Sequence, residues 1–341
     1  MKPRVVLVTG SAPPDVCGIG DYTRSLALAL QKAGLPVEVF CHRHWGLRGT
    51  SEAIRRLLVE DCIVHIQYPT VGYGYSLGPQ ISALFTQSLV TLHEFSLAHP
   101  LRKLSLLPFT LRCPYIVMTS EFEKRSLASK MPWVQRRIRV IPIGSNIPPP
   151  QTLTAERQMR IAYFGLIMPR KGLEEFIEFS RLVRAKGLDW DVVIIGKAHP
   201  RHVAYAKSLM ESSLAYRLHW ILDRSPEEVS DLLSRTRLAY LPFPDGASER
   251  RGSLKAAFTS GLPCITTRSE QTPEELTGSV VFAAAPADAL EVALRLMAAT
   301  EEREHLSQGA LKYSQRFRWE RIAEAHVRLY QELNARQGLK E

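Results

Sequence analysis

Two series of short apolar segments, each alternating with helical patterns, constrain the fold of this chain more than any other feature. The segments are rich in Val and Ile and nearly continuous in apolarity, which is typical of strands buried on both faces of a parallel sheet. Alternation of such strands with helices predicts an α/β fold with doubly wound sheets. The segments are 4–9, 37–41, 62–66, 89–92, 115–119 and 138–142, then 160–165, 191–196, 218–222, 237–242, 262–266 and 279–282.

A proline-rich segment, residues 146–158, separates the two series. Three consecutive prolines, Pro148 to Pro150, cannot lie inside a sheet, so this segment is predicted to be a linker. The sequence therefore predicts two doubly wound, Rossmann-like domains, residues 1–150 and 151–315. Ligands of such sheets bind at the carboxyl ends of the strands, beside helix N-termini. The candidate site residues are therefore those that directly follow the predicted strands.

Composition limits the class of protein and its partners. Five scattered cysteines without a CxxC spacing argue against disulfides and a structural zinc. Neither a secretory signal nor an apolar run of about 18 residues is present, so we expect a cytoplasmic protein. Residues 1–150 hold 17 Lys and Arg against 9 Asp and Glu, whereas 151–341 hold 27 against 25. The basic first half favours an anionic partner, such as phospholipid, a pyrophosphate-linked lipid or nucleic acid, although an ordinary basic surface explains it equally well.

The loop after the first strand contains glycines that suit a phosphate or sugar ligand. Gly18 and Gly20 precede Asp21, a candidate helix N-cap, and glycine lets backbone N–H groups approach a ligand closely. Thr23 replaces the third glycine of the dinucleotide fingerprint, and GxxxxGK[ST] is absent. A Rossmann dehydrogenase and a P-loop enzyme are therefore disfavoured, while an ordinary glycine turn stays open.

Two histidines lie in or directly after the predicted strands of the first half. His93 follows the fourth strand, where it can donate a hydrogen bond to a sugar or to a developing oxyanion, although a structural role is also open. His65 lies inside an apolar strand and is predicted to be structural.

Cations follow two strands of the second half, each just before a helix. Arg170 and Lys171 precede Gly172 and a helical pattern, and paired cations at a helix N-terminus suit a diphosphate. Arg250 and Arg251 precede a second helix start at Gly252 and Ser253. A solvated basic turn is the alternative at each place.

Taken in order, the motifs resemble the retaining GT-B glycosyltransferases of glycosyltransferase family 4 over nearly the whole chain. They are GIGDYT, TLHEF, TSEFEKRSL, IPIGSNIP, FGLIMPRKGLEEFI, SGLPCITT with PEEL, and FRWERIAEAHVRLY. The resemblance implies the GT-B architecture, two Rossmann-like domains facing a central cleft. It further implies an acceptor domain at 1–150, a donor domain at 151–315, and a C-terminal helix, 316–341, that crosses back toward the first domain.

The resemblance also implies roles for single residues. His93, Lys171 and Arg251 are expected to act in catalysis. Contacts to the donor are expected from Gly18, Gly20, Arg170, Lys171, Arg250, Gly252, Ser253, Leu254 and Glu274, and contacts to the acceptor from Asp21 and Tyr22. No metal site and no cofactor are expected; the nucleotide sugar is a co-substrate.

The chain departs from the family pattern at three positions. Where many members have two glutamates, Ser248 and Ala256 stand here, with Glu249 one residue out of register. Leu166 stands where many members have an arginine. The missing glutamates put the ribose contact, and with it the nucleotide base, in doubt.

The implied reaction is transfer of a hexose from a nucleoside diphosphate to a sugar or lipid-linked acceptor, for example a polysaccharide precursor. The resemblance implies a retaining reaction. The sequence shows no acidic metal cluster, so we expect the transfer to be metal-independent, and no nucleic-acid partner is expected. An epimerase or phosphorylase on the same fold, and a non-catalytic nucleotide- or glycan-binding homologue, stay open as alternatives.

Residues 101–113 predict a contact with an anionic membrane surface. They combine Arg102, Lys103 and Arg112 with leucines, and Pro108 limits any helix to short pieces. The protein is thus expected to be peripheral on the inner face of the membrane. The alternative is that these leucines pack in the core of the first domain.

Overall fold

The chain divides into two units, each built around its own six-stranded sheet. The structure, a computed structural model, describes residues 3–12, 15, 17–42, 44–59, 62–152 and 156–338. The first unit runs to Gly144 and resumes at Phe317, and the second is Ser145–Arg316. The acceptor and donor roles expected of these parts stay predictions.

All six strands of the first unit lie on the apolar segments of its sequence. They are β1 (Val5–Thr9), β2 (Val37–Cys41), β3 (Ile63–Tyr68), β4 (Ser88–Leu92), β5 (Ile116–Met118) and β6 (Ile138–Val140). They pair in parallel in the order β2-β1-β3-β4-β5-β6. Every residue of β1, β3, β4 and β5 is buried, which is why these strands are mostly apolar.

Helices cover both faces of this sheet. They are α1 (Gly18–Lys32), α2 (Leu47–Val59), α3 (Gly78–Phe85), α4 (Pro100–Ser105), α5 (Leu107–Arg112) and α6 (Glu121–Lys130). The prediction that Asp21 caps α1 is wrong. Cys17 is the N-cap, and the Asp21 N–H already donates to the Cys17 carbonyl at 3.0 Å, so the helix is under way three residues earlier.

The second unit repeats the architecture. Its strands are β7 (Gln158–Ile167), β8 (Asp191–Ala198), β9 (Leu218–Leu222), β10 (Thr236–Leu241), β11 (Cys264–Thr266) and β12 (Val280–Phe282), in the parallel order β12-β11-β10-β7-β8-β9. Its helices are α7 (Leu173–Ala185), α8 (Val203–Ser213), α9 (Pro226–Ser234), α10 (Gly252–Thr259), α11 (Pro286–Ala298) and α12 (Thr300–Ser314). The predicted fold class, two doubly wound Rossmann-like domains, is confirmed.

The last helix, α13 (Trp319–Gly338), belongs to the first unit and packs on α1. Leu329, Tyr330 and Leu333 share a core with Leu26 and Leu30 of α1. The first sheet is thereby covered on this face by the two ends of the sequence together. Within the described residues, no helix is both long and apolar enough to cross a membrane.

Candidate functional site

The strand order locates a candidate binding edge in each unit. In an open parallel sheet, ligands bind beyond the carboxyl ends of the strands, where successive connections leave in opposite directions. That point lies between β1 and β3 in the first unit and between β7 and β10 in the second. The loops that follow these strands therefore carry the candidate residues.

In the second unit, the loops that follow β7 and β10 touch each other. Gly172, the N-cap of α7, has a left-handed φ of 84°, and a Cβ there would lie 1.9 Å from the Pro242 carbonyl oxygen. Only glycine fits such a close approach. Arg170, two residues earlier, is exposed and also left-handed, with φ 63°. Glycine at position 172 thus brings the Arg170–Lys171 turn against the β10 loop.

The N-terminus of α10 is suited to an anion. Arg251 is its N-cap and provides no side-chain cap, and the first turn contains no acidic residue. The N–H groups of Gly252, Ser253 and Leu254 belong to the first turn, whose N–H groups have no partner within the helix. They lie at the positive end of the helix dipole, where phosphate binds readily.

Lys171 and Arg251 lie close enough to interact. Burial is the larger cause that lowers the pKa of Lys171, and the positive charge of the neighbouring Arg251 lowers that pKa further. Burial also lowers the pKa of Arg251. Tyr163 donates a hydrogen bond to the Lys171 carbonyl at 3.0 Å and feels the Arg251 charge. Because two partly buried cations repel one another, an anion bound between them would relieve a cost present in the free protein.

Both arginines before α10 already have protein partners that the sequence did not predict. Arg251 forms an ion pair with Asp245, and its guanidinium lies 4.7 Å from the centre of the Phe243 ring. Arg250 donates to Gln271 Oε1 at 2.7 Å. Asp245 is one of two acids in the polar loop before the arginines and was therefore detectable, whereas Gln271 is separated from Arg250 by a helix and a strand. A ligand at this edge therefore competes with Asp245 for Arg251.

Glu274 begins a short 3-10 helix, Glu274–Gly278, and is exposed. It lies three residues beyond Gln271, on the connection that follows β11. Its expected contact with the donor stays a prediction.

In the first unit, His93 lies just beyond β4 and is only 5% exposed. Its Nε2 lies 3.1 Å from Gln67 Oε1, and the Tyr22 ring meets it edge-on at 4.8 Å. Gln67 is fully buried near the end of β3, the neighbouring strand, and sequence reasoning missed it. A glutamine in an otherwise apolar strand was the available signal. The pair fixes the imidazole ring at the binding edge of the sheet.

The four other residues expected at this edge are among the first five residues of α1. A Cβ on Gly20 would lie 2.8 Å from the Ser11 carbonyl oxygen, so glycine here lets the β1 loop pack on the helix, while the Cβ position of Gly18 faces open space. Asp21 is exposed. Tyr22 is 2% exposed and its ring packs 5.6 Å from Trp319. Tyr22 is therefore a core residue beneath the edge, and its expected contact with the acceptor stays a prediction.

His65 has the structural role that was predicted. It is fully buried, with Nδ1 2.7 Å from the Tyr330 hydroxyl and Nε2 2.7 Å from Thr91 Oγ1. It joins the middle of the sheet to α13.

Comparisons with known proteins agree with this architecture. Residues 158–299, within the second unit, match the family described as "Glycosyl transferases group 1". The fold is similar to that of sucrose-phosphate synthase from Thermosynechococcus elongatus, with a TM-score of 0.74 at 17% identity over 98% of this chain and 99% of that one. It is similar to a glycosyltransferase from Rickettsia africae ESF-5, with a TM-score of 0.73 at 13% identity over 97% and 98%.

A third similar structure is the Anabaena protein HepE in complex with UDP and glucose. Its TM-score is 0.70 at 14% identity, over 96% of this chain and 99% of that one. No curated protein matches the chain by sequence. At these identities the structural similarities establish the fold, which is GT-B.

Proposed function

We propose that this chain transfers a sugar from a nucleoside diphosphate to an acceptor. It has the GT-B fold of glycosyltransferases, and its second unit carries a group 1 glycosyl transferase domain. One observation carries the proposal: Lys171 and Arg251 meet at neighbouring strand ends, beside the uncapped N-terminus of α10. Structures of the same fold have been solved with UDP and glucose, and with ADP and acarbose in starch synthase IV from Arabidopsis thaliana.

The chemistry requires stabilisation of a departing diphosphate. As the anomeric C–O bond breaks, negative charge grows on the leaving group and positive charge on the sugar. Lys171, Arg251 and the N–H groups at the start of α10 would stabilise the leaving diphosphate. Because these charges are built into the chain, the transfer is proposed to be metal-independent. In a retaining reaction, an oxygen of the leaving diphosphate would accept the acceptor proton, and His93 would contact the transferred sugar.

A transfer assay tests this function against the open alternatives. The protein is incubated with radiolabelled UDP-, GDP-, ADP- and dTDP-sugars, with and without simple acceptors, and with and without EDTA. We expect one nucleoside diphosphate to be released and its sugar to be transferred, at the same rate with EDTA present. Conversion of the sugar without an acceptor would indicate an epimerase, and binding without release a non-catalytic homologue. Loss of activity with EDTA and its return with Mg²⁺ or Mn²⁺ would contradict metal independence.

We further propose that an outer face of the first unit rests on an anionic membrane. The structure divides the predicted segment: Leu106 and Phe109 are buried in the core, whereas Leu101, Leu104 and Leu111 are 72%, 61% and 71% exposed. Core packing therefore describes Leu106 and Phe109, whereas contact of the exposed leucines with a membrane stays a proposal. Exposed leucines on two short helices suit insertion into a membrane interface rather than across it.

Exposed apolar side chains also lie on neighbouring helices of the same sheet face. α3 packs against both α2 and α5, and all of them cover the core that contains Leu106 and Phe109. Leu47, Leu58 and Phe85 are 89%, 57% and 60% exposed and line an open groove of about 400 Å³ between α2 and α3. The exposed basic residues on these helices are Arg48, Arg55, Arg56 and Arg112, with Glu52 among them. Their charge complements an anionic lipid surface.

Vesicle co-sedimentation tests the membrane proposal. The double variant Arg102→Glu/Arg112→Glu is expected to lose binding to anionic vesicles, because each basic residue near such a surface contributes on the order of 1 kcal/mol. Lys103 is left unchanged, since it donates to the Ser96 carbonyl at 3.0 Å and lies over the Phe95 ring. Arg181→Glu/Lys207→Glu on the second unit is the matched control and should bind like wild type. Absence of binding to anionic vesicles at low salt would point to a soluble acceptor.

A further inference from the structure

A buried charged cluster lies directly behind the two arginines of the β10 loop. Glu249 is only 8% exposed, although it carries a carboxylate. Its Oε1 accepts a hydrogen bond from the Tyr313 hydroxyl at 3.2 Å and lies 3.4 Å from a guanidinium nitrogen of Arg316. Lys255, which is 2% exposed, is a third neighbour, and its positive charge favours the ionised form of the Glu249 carboxyl group. A carboxylate so deeply buried needs such compensation.

The partners of Glu249 approach from two separate elements. Lys255 belongs to the first turns of α10, whereas Tyr313 and Arg316 lie at the end of α12 and just beyond it. The Arg316 guanidinium lies 4.9 Å from the centre of the Tyr313 ring, which packs edge-on against Phe258 at 5.7 Å. The carboxylate thus ties the loop both to α10 and to Tyr313 and Arg316 at the end of α12.

Glu249 immediately precedes Arg250 and Arg251 in the chain. We infer that Glu249, held by Lys255, Tyr313 and Arg316, is the positioning residue that fixes the Arg250–Arg251 segment at the N-terminus of α10 and thereby sets the affinity for a diphosphate. Its effect on affinity rests on the proposed function, while its effect on the loop does not.

We therefore expect the position of the loop to depend on pH. Burial lowers the pKa of Lys255 to about 7, with the charge of Glu249 opposing that shift. Glu249 itself faces Arg316, Lys255 and Tyr313, with Glu275 as the nearby like charge. As the pH rises through about 7, Lys255 loses its proton and Glu249 loses one of its two positive neighbours. Anchoring of the loop should therefore be weaker in mildly alkaline solution than in neutral solution.

Limited trypsin digestion of the full chain without ligand measures the loop directly, because trypsin cleaves after Arg250 and Arg251. Glu249→Gln is expected to raise the rate of cleavage at these two sites by about tenfold or more, because it removes one charge-assisted contact that holds the loop. Mass spectrometry identifies and quantifies the fragments. UDP affinity, read by calorimetry, should fall by a similar factor. Glu302→Gln, in the surface pair with Arg295 (3.4 Å apart), is the matched control and should behave as wild type.

A double variant separates positioning from stability. Glu249→Leu/Lys255→Met replaces the buried pair with apolar side chains, a change that proteins often tolerate well. We expect the double variant to fold, yet to show raised trypsin cleavage and weakened UDP binding. The ratio of its UDP affinity to that of the wild type should change between about pH 6 and about pH 8.5. Lys207→Met/Glu211→Leu, on the surface of α8, is its matched control.

The outcomes distinguish the two proposals. If wild type binds no nucleoside diphosphate while Glu249→Gln still exposes the loop to trypsin, the proposed function fails and the positioning of the loop stands. If wild type binds UDP and both the single and the double variant retain wild-type cleavage and affinity, Glu249 positions nothing and the inference is overturned. Raised cleavage with unchanged UDP affinity would equally overturn its link to the diphosphate.

Discussion

Lys171→Ala and Arg251→Ala are each expected to weaken binding of a nucleoside diphosphate and to slow sugar transfer by about tenfold to a hundredfold, because a hydrogen bond to a charged group contributes about 1.5–3 kcal/mol. Both cations are partly buried, and burial lowers the pKa of each. Isothermal titration with UDP, GDP, ADP and dTDP measures the affinity, and single-turnover transfer measures the rate.

The two variants should differ in a way that reveals Asp245. Removing Arg251 leaves the Asp245 carboxylate without its ion-pair partner near the bound phosphate, so Arg251→Ala combines a lost attraction with a new repulsion. Adding Asp245→Asn should restore part of the affinity in the Arg251→Ala background. Arg181→Ala, in an exposed pair with Glu178 on α7, is the matched control. Wild-type affinity and rate in both single variants would exclude this edge as the diphosphate site.

The first unit is expected to lose stability as the pH falls from about 6.5 toward 4, because two buried histidines must remain neutral. Burial lowers the pKa of His65 well below its usual value, with His326 and His93 adding to the effect. Burial lowers the pKa of His326 to about 4. In the unfolded chain both histidines take up a proton near pH 6.5. The stabilisation from keeping them neutral is therefore fully present above that pH, and it is lost as the pH falls toward the pKa of each histidine in the folded protein. For His326 alone the loss is about 3 kcal/mol.

Hydrogen exchange followed on peptides from β3 and α13 measures this loss locally, without assuming that the two units unfold together. His326→Gln keeps a donor for the Ile322 carbonyl, 2.8 Å from Nδ1 in the wild type, but cannot titrate. It should flatten the pH dependence of the opening free energy between about pH 6.5 and about pH 4. His44→Gln, on an exposed histidine of the same unit, should not. The same slope in wild type and His326→Gln would contradict the assignment.

The site could be predicted from the sequence only as far as local pattern reaches. Lys171 and Arg251 were recognisable because each follows a buried strand and precedes a helix, and parallel strands bring such ends to one edge. Their closeness follows from β7 and β10 being neighbours, although three helices and two strands separate them in the chain. The roles of the predicted site residues stay predictions.

Partners remote in sequence could not be predicted. Arg250 meets Gln271, and Glu249 meets Tyr313, which lies 64 residues further along. Nothing in local composition marks such pairs, because the contact exists only after α10, α11 and α12 have packed on the sheet. Asp21 illustrates the same limit at short range, since its N–H was taken by Cys17 and the helix began before the predicted cap.

By itself, the sequence determined the two-sheet architecture, because most of the strands are nearly continuous apolar runs that are stable only between two layers of helices. Only the tertiary structure decided which side chains each half exposes and which charges it buries. Residues 101–113 contain leucines of equal hydrophobicity, yet Leu106 is buried and Leu104 is exposed, because the position of each on a short helix relative to the sheet sets its environment. Lys255 likewise reads as an ordinary helical lysine, and becomes a buried counter-charge because α10 lies between the sheet and α12.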